Sequence, residues 1–347
     1  MELFNEIAAE RMVRFQVAYL YSSDPARQWS PAVIRHDALT LDGDPAKLAK
    51  FCEVTNQSDL VVFNYYNDPF ARRLIRQRVL TRQPWVFWGE RPGFRAGSWT
   101  GSLLRRWKLR RLHFSKAQIW GIGNFAVERY RKEFGTSRVY QDIPYYSDLT
   151  RFQTKISGPR SDSEGIKFLF SGSLIYRKGV DLLGRAFARA AREFPNARLT
   201  IMGGGPLRDD LHRLMTSVAS QVEFVGFKDW HQLPSIYQNA DVLCVPSRHD
   251  GWGLVVPEGL ASGLPVIGTD RTGAALEFIE TGRNGWLIPA GDGETLFDAM
   301  HEAARLPRAK LSKLSADARA TVKDHSLHHG AERFIAACRE AVANWTN

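Results

Sequence analysis

Cysteine is scarce in this chain. Cys52, Cys244 and Cys338 are far apart and odd in number, so neither a disulfide framework nor a cysteine metal site is expected. A reducing cytoplasm is the simplest home for such thiols. His36, His113, His231 and His249 show no metal-ligand spacing and are read as non-ligands. No apolar run approaches the roughly 18 residues that a membrane-spanning helix needs. The first residues, Met1-Glu-Leu-Phe-Asn-Glu6, are acidic and lack the apolar core of a signal peptide. No internal repeat or low-complexity tract is present. These absences turn attention from secreted, membrane-spanning and repeat classes to a soluble globular one. With 347 residues, 44% of them hydrophobic, there is core enough for two domains of ordinary size.

Acidic residues are in short supply in one half only. The net charge is +10, and residues 1–150 hold 23 Lys/Arg against 15 Asp/Glu, whereas the remainder holds 24 against 22. A partner with an anionic surface, either a membrane or a phosphate-bearing acceptor, would account for the excess, as would a solvated basic face. Within it, residues 101–114 (Gly-Ser-Leu-Leu-Arg-Arg-Trp-Lys-Leu-Arg-Arg-Leu-His-Phe) mix cations with leucines and a tryptophan. Such a segment either lies on an anionic bilayer or packs as an amphipathic helix on its own domain. No nucleic-acid-binding motif accompanies the charge, so a nucleic-acid partner is not expected.

Apolar runs and helical patterns alternate along the chain, which points to α/β architecture with parallel sheets. Arg14–Leu20, Asp59–Asn64, Trp85–Trp88 and the segment from Ile119 read as strands, with a helix over Phe70–Leu80. Thr150–Gly165 is polar and is the best linker candidate. Strands follow at Lys167–Phe170, Arg198–Met202, Glu223–Val225, Asp241–Val245 and Val266–Gly268, with helices over Val180–Glu193 and Leu207–Ala219. The expected division is a first domain over 1–155, a second over 165–325 and closing helices over 326–347.

The most informative stretch is Ser247-Arg-His-Asp-Gly-Trp-Gly-Leu-Val-Val-Pro-Glu258. Gly251 and Gly253 permit a tight turn, and Pro257 fits only the first turn of a helix, which should begin near Gly253 or Leu254. A helix start suits a phosphate. Glu258, one turn in, can accept hydrogen bonds from two vicinal hydroxyls. Phosphate plus diol means a nucleotide, and Asp250 ahead of the turn implies a second polar group held beside it.

This stretch, continuing as Gly259-Leu-Ala-Ser-Gly-Leu-Pro-Val-Ile267, resembles the retaining glycosyltransferases of the GT-B fold, family 4, in an Asp-Gly-Trp-Gly form. Ser171-Gly-Ser-Leu-Ile-Tyr-Arg-Lys-Gly179 resembles that family's donor phosphate loop, and Ile201-Met-Gly-Gly-Gly-Pro-Leu207 its glycine-rich strand end. Val222–Phe227 and Leu233–Val242 match in order and spacing. The resemblance implies two Rossmann-like domains facing a central cleft, with the last helix returning to the first domain. It implies transfer of a hexose from a nucleotide-diphosphate sugar to a glycan or lipid-linked acceptor, with retention at the anomeric carbon and no required metal or other cofactor. Bacterial envelope or exopolysaccharide biosynthesis is the expected setting.

The implied donor contacts are Gly172, Ser173, Arg177, Lys178, Gly204, Phe227, Gly251, Trp252, Gly253, Leu254 and Glu258. Lys178, with Arg177, would meet the diphosphate, Glu258 the ribose and Asp250 the donor sugar. Gly251, Gly253 and Leu254 would offer backbone N–H groups. Asp250, Lys178 and Glu90 are the catalytic candidates. The chain departs from the family pattern at four places. Ser173 stands where relatives carry arginine, and Asp250 where glutamate is commoner. Glu90 ends the strand at which relatives often have histidine, and is read as a sugar or acceptor contact or as a structural residue. Ser22-Ser23-Asp24 replaces a glycine pair. These departures keep open a non-catalytic nucleotide-sugar-binding protein as the alternative.

Overall fold

The computed structural model describes residues 1–22, 33–91, 103, 106–153 and 164–345. The chain divides into two compact units, Met1–Tyr146 with Leu327–Asn347, and Ser147–Ser326. The division precedes the segment that composition favours as a linker. Thr150–Phe152 forms a 3-10 turn, and Phe152 is buried edge-on against Tyr237, with ring centroids 5.2 Å apart. Residues 154–163 of that segment lie outside the described residues, as do Ser23 and Asp24.

The first unit has two parallel sheets among its described residues. β1 (Gln16–Tyr19) pairs with β2 (Asp37–Thr40), Gln16 opposite Asp37. β3 (Val61–Phe63), β4 (Trp85–Gly89), β5 (Gln118–Gly121) and β6 (Tyr140–Asp142) form the other, in that order. Helices Pro45–Gln57 and Pro69–Leu80 start on Asp44 and Asp68, whose carboxylates each accept two backbone N–H groups ahead of a proline in the first turn. Arg78 is buried and ties three chain segments together. Its guanidinium donates to the carbonyls of Thr55, Ser58 and Pro84 at 2.6–3.1 Å. Burial lowers its pKa to about 10, so the charge persists at neutral pH. Helix Leu327–Trp345 belongs to this unit, and its Phe334 packs edge-on against Phe15, Trp88 and Trp120.

The second unit holds one six-stranded parallel sheet. Its strands are β7 (Lys167–Ser171), β8 (Arg198–Met202), β9 (Val222–Gly226), β10 (Val242–Val245), β11 (Val266–Thr269) and β12 (Gly285–Ile288). Their order is β12-β11-β10-β7-β8-β9, the doubly wound arrangement whose direction reverses between β7 and β10. Helix Val180–Glu193 buries Val180, Leu183, Phe187, Ala190 and Ala191, a 3.6-residue stripe facing the core that helix Gly293–Arg305 also covers.

β2, β6 and β12 escape the sequence reading. β2 opens on an exposed Asp37, β6 is only Tyr-Gln-Asp, and β12 follows a turn directly. The helix expected over Leu207–Ala219 stops at Leu214 and gives way to a 3-10 segment, Thr216–Gln221. The Thr216 hydroxyl donates to the carbonyls of His212 and Arg213, a local bond that competes with helix continuation.

Candidate functional site

The reversal between β7 and β10 sets two loops side by side at the carboxyl ends of their strands, where doubly wound sheets bind ligands. The loop after β7 runs through Gly172 and Ser173 into a 3-10 turn, Tyr176–Lys178, and Gly179 begins helix Val180–Glu193. The loop after β10 carries Ser247–Asp250. Lys178 Nζ pairs with Asp250 Oδ2, and both side chains are largely buried. Arg177 Nη1 lies 3.6 Å from Asp250 Oδ1 and donates to the His249 carbonyl at 3.0 Å. Two cations and one carboxylate, 72 and 73 positions apart in sequence, thus share one spot.

Arg248 holds the loops in register. Its guanidinium grips both carboxylate oxygens of Asp181 at 2.7 and 2.8 Å, donates to the Tyr176 carbonyl at 2.7 Å and lies 3.6 Å from the Tyr176 ring centroid. Burial would raise the Asp181 pKa, but the bonds and charge of Arg248 overcome it and hold the carboxyl below its ordinary value. The pair therefore contributes in full above about pH 4 and is lost as acidification carries the pH below that value toward the depressed folded pKa. Arg248→Ala is expected to destabilise the second unit by about 1–3 kcal/mol, and Arg248→Lys to restore little, because lysine lacks the two-pronged fork. Unchanged melting of both variants at neutral pH would remove the clamp.

Glu258 sits in the first turn of helix Val255–Ala261, which Gly253, at φ +90°, turns the chain to enter. Leu254 caps the helix with no side-chain bond, so Asp250 is not its capping residue. The helix has seven residues, and its Val256 N–H already donates to the Gly253 carbonyl at 3.0 Å. A helix this short offers little dipole, which shifts the burden of anion binding from the Gly251–Leu254 backbone to Lys178 and Arg177. The Glu258 carboxylate accepts from the Tyr237 hydroxyl at 3.4 Å, and Tyr237 is fully buried. Burial and the neighbouring carboxylate push the phenol well up, so it remains a donor, and it also bonds Ser171 at the end of β7. Glu258→Ala should weaken UDP and GDP binding roughly 10–150-fold, and Tyr237→Phe less, because it loosens the carboxylate without deleting it. Wild-type affinity of Glu258→Ala in calorimetry would remove the ribose assignment.

The remaining candidates fall differently. The Trp252 indole is buried against Phe278 and His325, at centroid distances of 5.8 and 6.3 Å, so its side chain is part of the core. The alternation of small and large residues around the turn does not reveal which way that ring goes. The Gly204 carbonyl accepts from Leu174 N–H at 2.8 Å, and Gly172 N–H donates to Met202 at 3.0 Å, which fastens the two strand-end loops together. Ser173 and Phe227 are exposed. Glu90 lies on the first unit, its carbonyl accepting from the Tyr130 hydroxyl at 2.7 Å and its side chain exposed. Of residues 101–114, Gly101, Ser102, Leu104 and Arg105 lie outside the described residues. Leu109 and Leu112 are buried in the first unit's core, whereas Leu103, Trp107 and Phe114 are exposed.

The three cysteines are free thiols, and burial pushes Cys338 up to about 12. Among the described residues, Glu6, Glu10 and His328 come together with metal-ligand spacing on the first unit, a grouping that sequence does not suggest because His328 is so distant. No described helix is long and apolar enough to cross a membrane.

Residues 152–321, which contain both loops and Glu258, match the family described as glycosyl transferases group 1. This segment belongs to the glycosyl transferases group 1 family. Over 160 residues the chain is 38% identical to an uncharacterized glycosyltransferase of Methanocaldococcus jannaschii, a match covering 44% of this chain and 40% of that protein. Over 298 residues the chain is 24% identical to the GDP-mannose-dependent alpha-(1-6)-phosphatidylinositol monomannoside mannosyltransferase of Mycolicibacterium smegmatis, covering 80% of this chain and 75% of that one. In fold, it superposes on Anabaena HepE in complex with UDP and glucose with a TM-score of 0.74 at 17% identity, covering 97% of this chain and 95% of the other. The fold is therefore GT-B, with the group 1 segment as its second unit.

Proposed function

We propose that this protein is a retaining glycosyltransferase that moves a hexose from a nucleotide-diphosphate sugar to a glycan or lipid-linked acceptor, in envelope or exopolysaccharide biosynthesis and without a required divalent metal. The observation that carries this reading is the meeting of Lys178, Arg177 and Asp250 at the β7–β10 reversal. A diphosphate leaving group gains negative charge as the glycosidic bond breaks. Two fixed cations in a partly buried loop stabilise that charge in place of a metal ion. Asp250 accepts hydrogen bonds from sugar hydroxyls, and Glu258 takes the ribose. In the free protein Lys178 and Asp250 neutralise each other, so an incoming donor exchanges one ion pair for two sets of contacts.

The relatives support a nucleotide-sugar donor: the mycolicibacterial protein is named for GDP-mannose and HepE was solved with UDP. Thermal stabilisation by a panel of UDP- and GDP-sugars should single out the donor, because ligand-linked stability grows with concentration over Kd. Transfer with that donor should persist in EDTA. Complete loss on chelation, restored by Mg²⁺ or Mn²⁺, would overturn the metal-free mechanism. The exposed Ser173, in place of an arginine, favours the second reading, a binding protein that does not turn over. Donor binding without transfer or hydrolysis would establish that reading instead.

A further inference from the structure

The first unit holds a concave site that the donor chemistry does not use. Between helix Pro69–Leu80 and the segment ending in Arg110–His113 opens a small, half-open cleft. Its floor is apolar, with Ile75, Phe87 and Leu112 all buried, and its rim is cationic, with Arg72, Lys108 and Arg111. Arg72 stands in the first turn of the helix that follows β3, toward the carboxyl end of the sheet. The charged groups that act on Arg111 are Arg72, Arg76 and Arg110, all cations, and with burial they depress its pKa. Among the described residues, the side chains of Arg72, Arg76, Lys108 and Arg111 have no carboxylate partner. Folded proteins ordinarily separate or pair convergent like charges, because each raises the cost of the next.

We propose that this cleft binds a phosphoryl anion carried on a molecule with an uncharged or apolar body. The cations supply what the fold itself does not balance. Two guanidinium forks match the oxygens of a phosphate, Lys108 adds a point charge, and a doubly charged group satisfies more of them than a carboxylate can. The apolar floor receives the part of the ligand next to the phosphate. A phosphomonoester in solution and the headgroup of an anionic lipid present the same chemistry. That this phosphate belongs to the acceptor rests on the glycosyltransferase reading; the binding itself does not.

The test uses the full chain and no turnover, so a failed donor assignment leaves it intact. Glycerol 1-phosphate is titrated by calorimetry, and co-sedimentation is measured with phosphatidylcholine vesicles with and without phosphatidic acid. Arg72→Gln/Arg111→Gln should weaken binding roughly tenfold or more without lowering the melting temperature, since like-charge repulsion is relieved. Arg129→Gln/Lys132→Gln removes the same charge from the exposed side of helix Asn124–Phe134 and should bind as wild type. Lys178→Ala should also bind as wild type. Arg72→Gln alone serves if the double variant does not fold. Binding of glycerol phosphate that is lost in the cleft variant supports the site with a soluble source. Binding of phosphatidic acid vesicles alone, lost in the same variant, supports it with a lipid source. No binding of either probe by wild type, equal loss in the two double variants, or loss in Lys178→Ala overturns it.

Discussion

Replacing Lys178 with alanine should lower kcat by about 10²–10³-fold, the usual effect of deleting one preorganised charge from a leaving-group site, and raise KM far less. The reason lies in when the charge is needed. The donor diphosphate is already anionic and is held by several groups, but the additional charge develops only as the bond to the sugar breaks. Arg177, 3.6 Å from the same Asp250 carboxylate, remains to bind the ground state. The deletion also leaves the largely buried Asp250 without its closest cation, so Lys178→Ala/Asp250→Ala should fall well short of the product of the two single effects. Steady-state kinetics on the three variants with the identified donor checks this. A preserved kcat with only KM raised would make Lys178 a binding residue and move the catalytic burden elsewhere.

The second large effect is expected at Gly179, on the other side of the same loop. Its φ is +68°, and a Cβ there would stand 1.9 Å from the Pro246 carbonyl oxygen, in the loop that leads from β10 to Asp250. Alanine in this conformation costs about 1–2 kcal/mol before any clash. The clash is with backbone, so the two strand-end loops must part. Gly179→Ala should therefore cost more than about 2 kcal/mol, a fall of roughly 4–8 °C in melting temperature for a unit of this size, and should abolish stabilisation by donor. Gly291, also at positive φ but with open space around it, is the control and should lose no more than the conformational part. Equal effects of the two alanine substitutions would mean that the approach of the loops to each other does not matter.

The Thr150–Gly165 segment and the Trp252 ring show what sequence reasoning leaves open. Polarity marked the first as a linker, yet Phe152 at its start is buried against Tyr237. Motif position placed Trp252 beside the donor, yet hydrophobic burial turns its indole into the core beside Phe278 and His325. A motif specifies the path of the backbone; which side of that path a large aromatic occupies depends on the cavity that other elements leave for it.

What the sequence by itself determined is local. Helix Val180–Glu193 follows from its apolar period, strand ends from their glycines, and the grouping of Arg177 with Lys178, and of Asp250 with Glu258, from motifs shorter than fifteen residues. These depend on neighbours along the chain, whose geometry the backbone constrains. Tertiary structure alone decided which loops meet. The Lys178–Asp250 pair, the Arg248–Asp181 clamp, the Tyr237–Glu258 bond and the bonds of the buried Arg78 to Thr55 and Ser58 join residues 20 to 72 positions apart. No periodicity encodes such partners. In the second unit they follow from the strand order, which lays β10 beside β7 and brings two cations to one carboxylate; in the first, the packing of two helices gathers an unbalanced cluster of cations over an apolar floor.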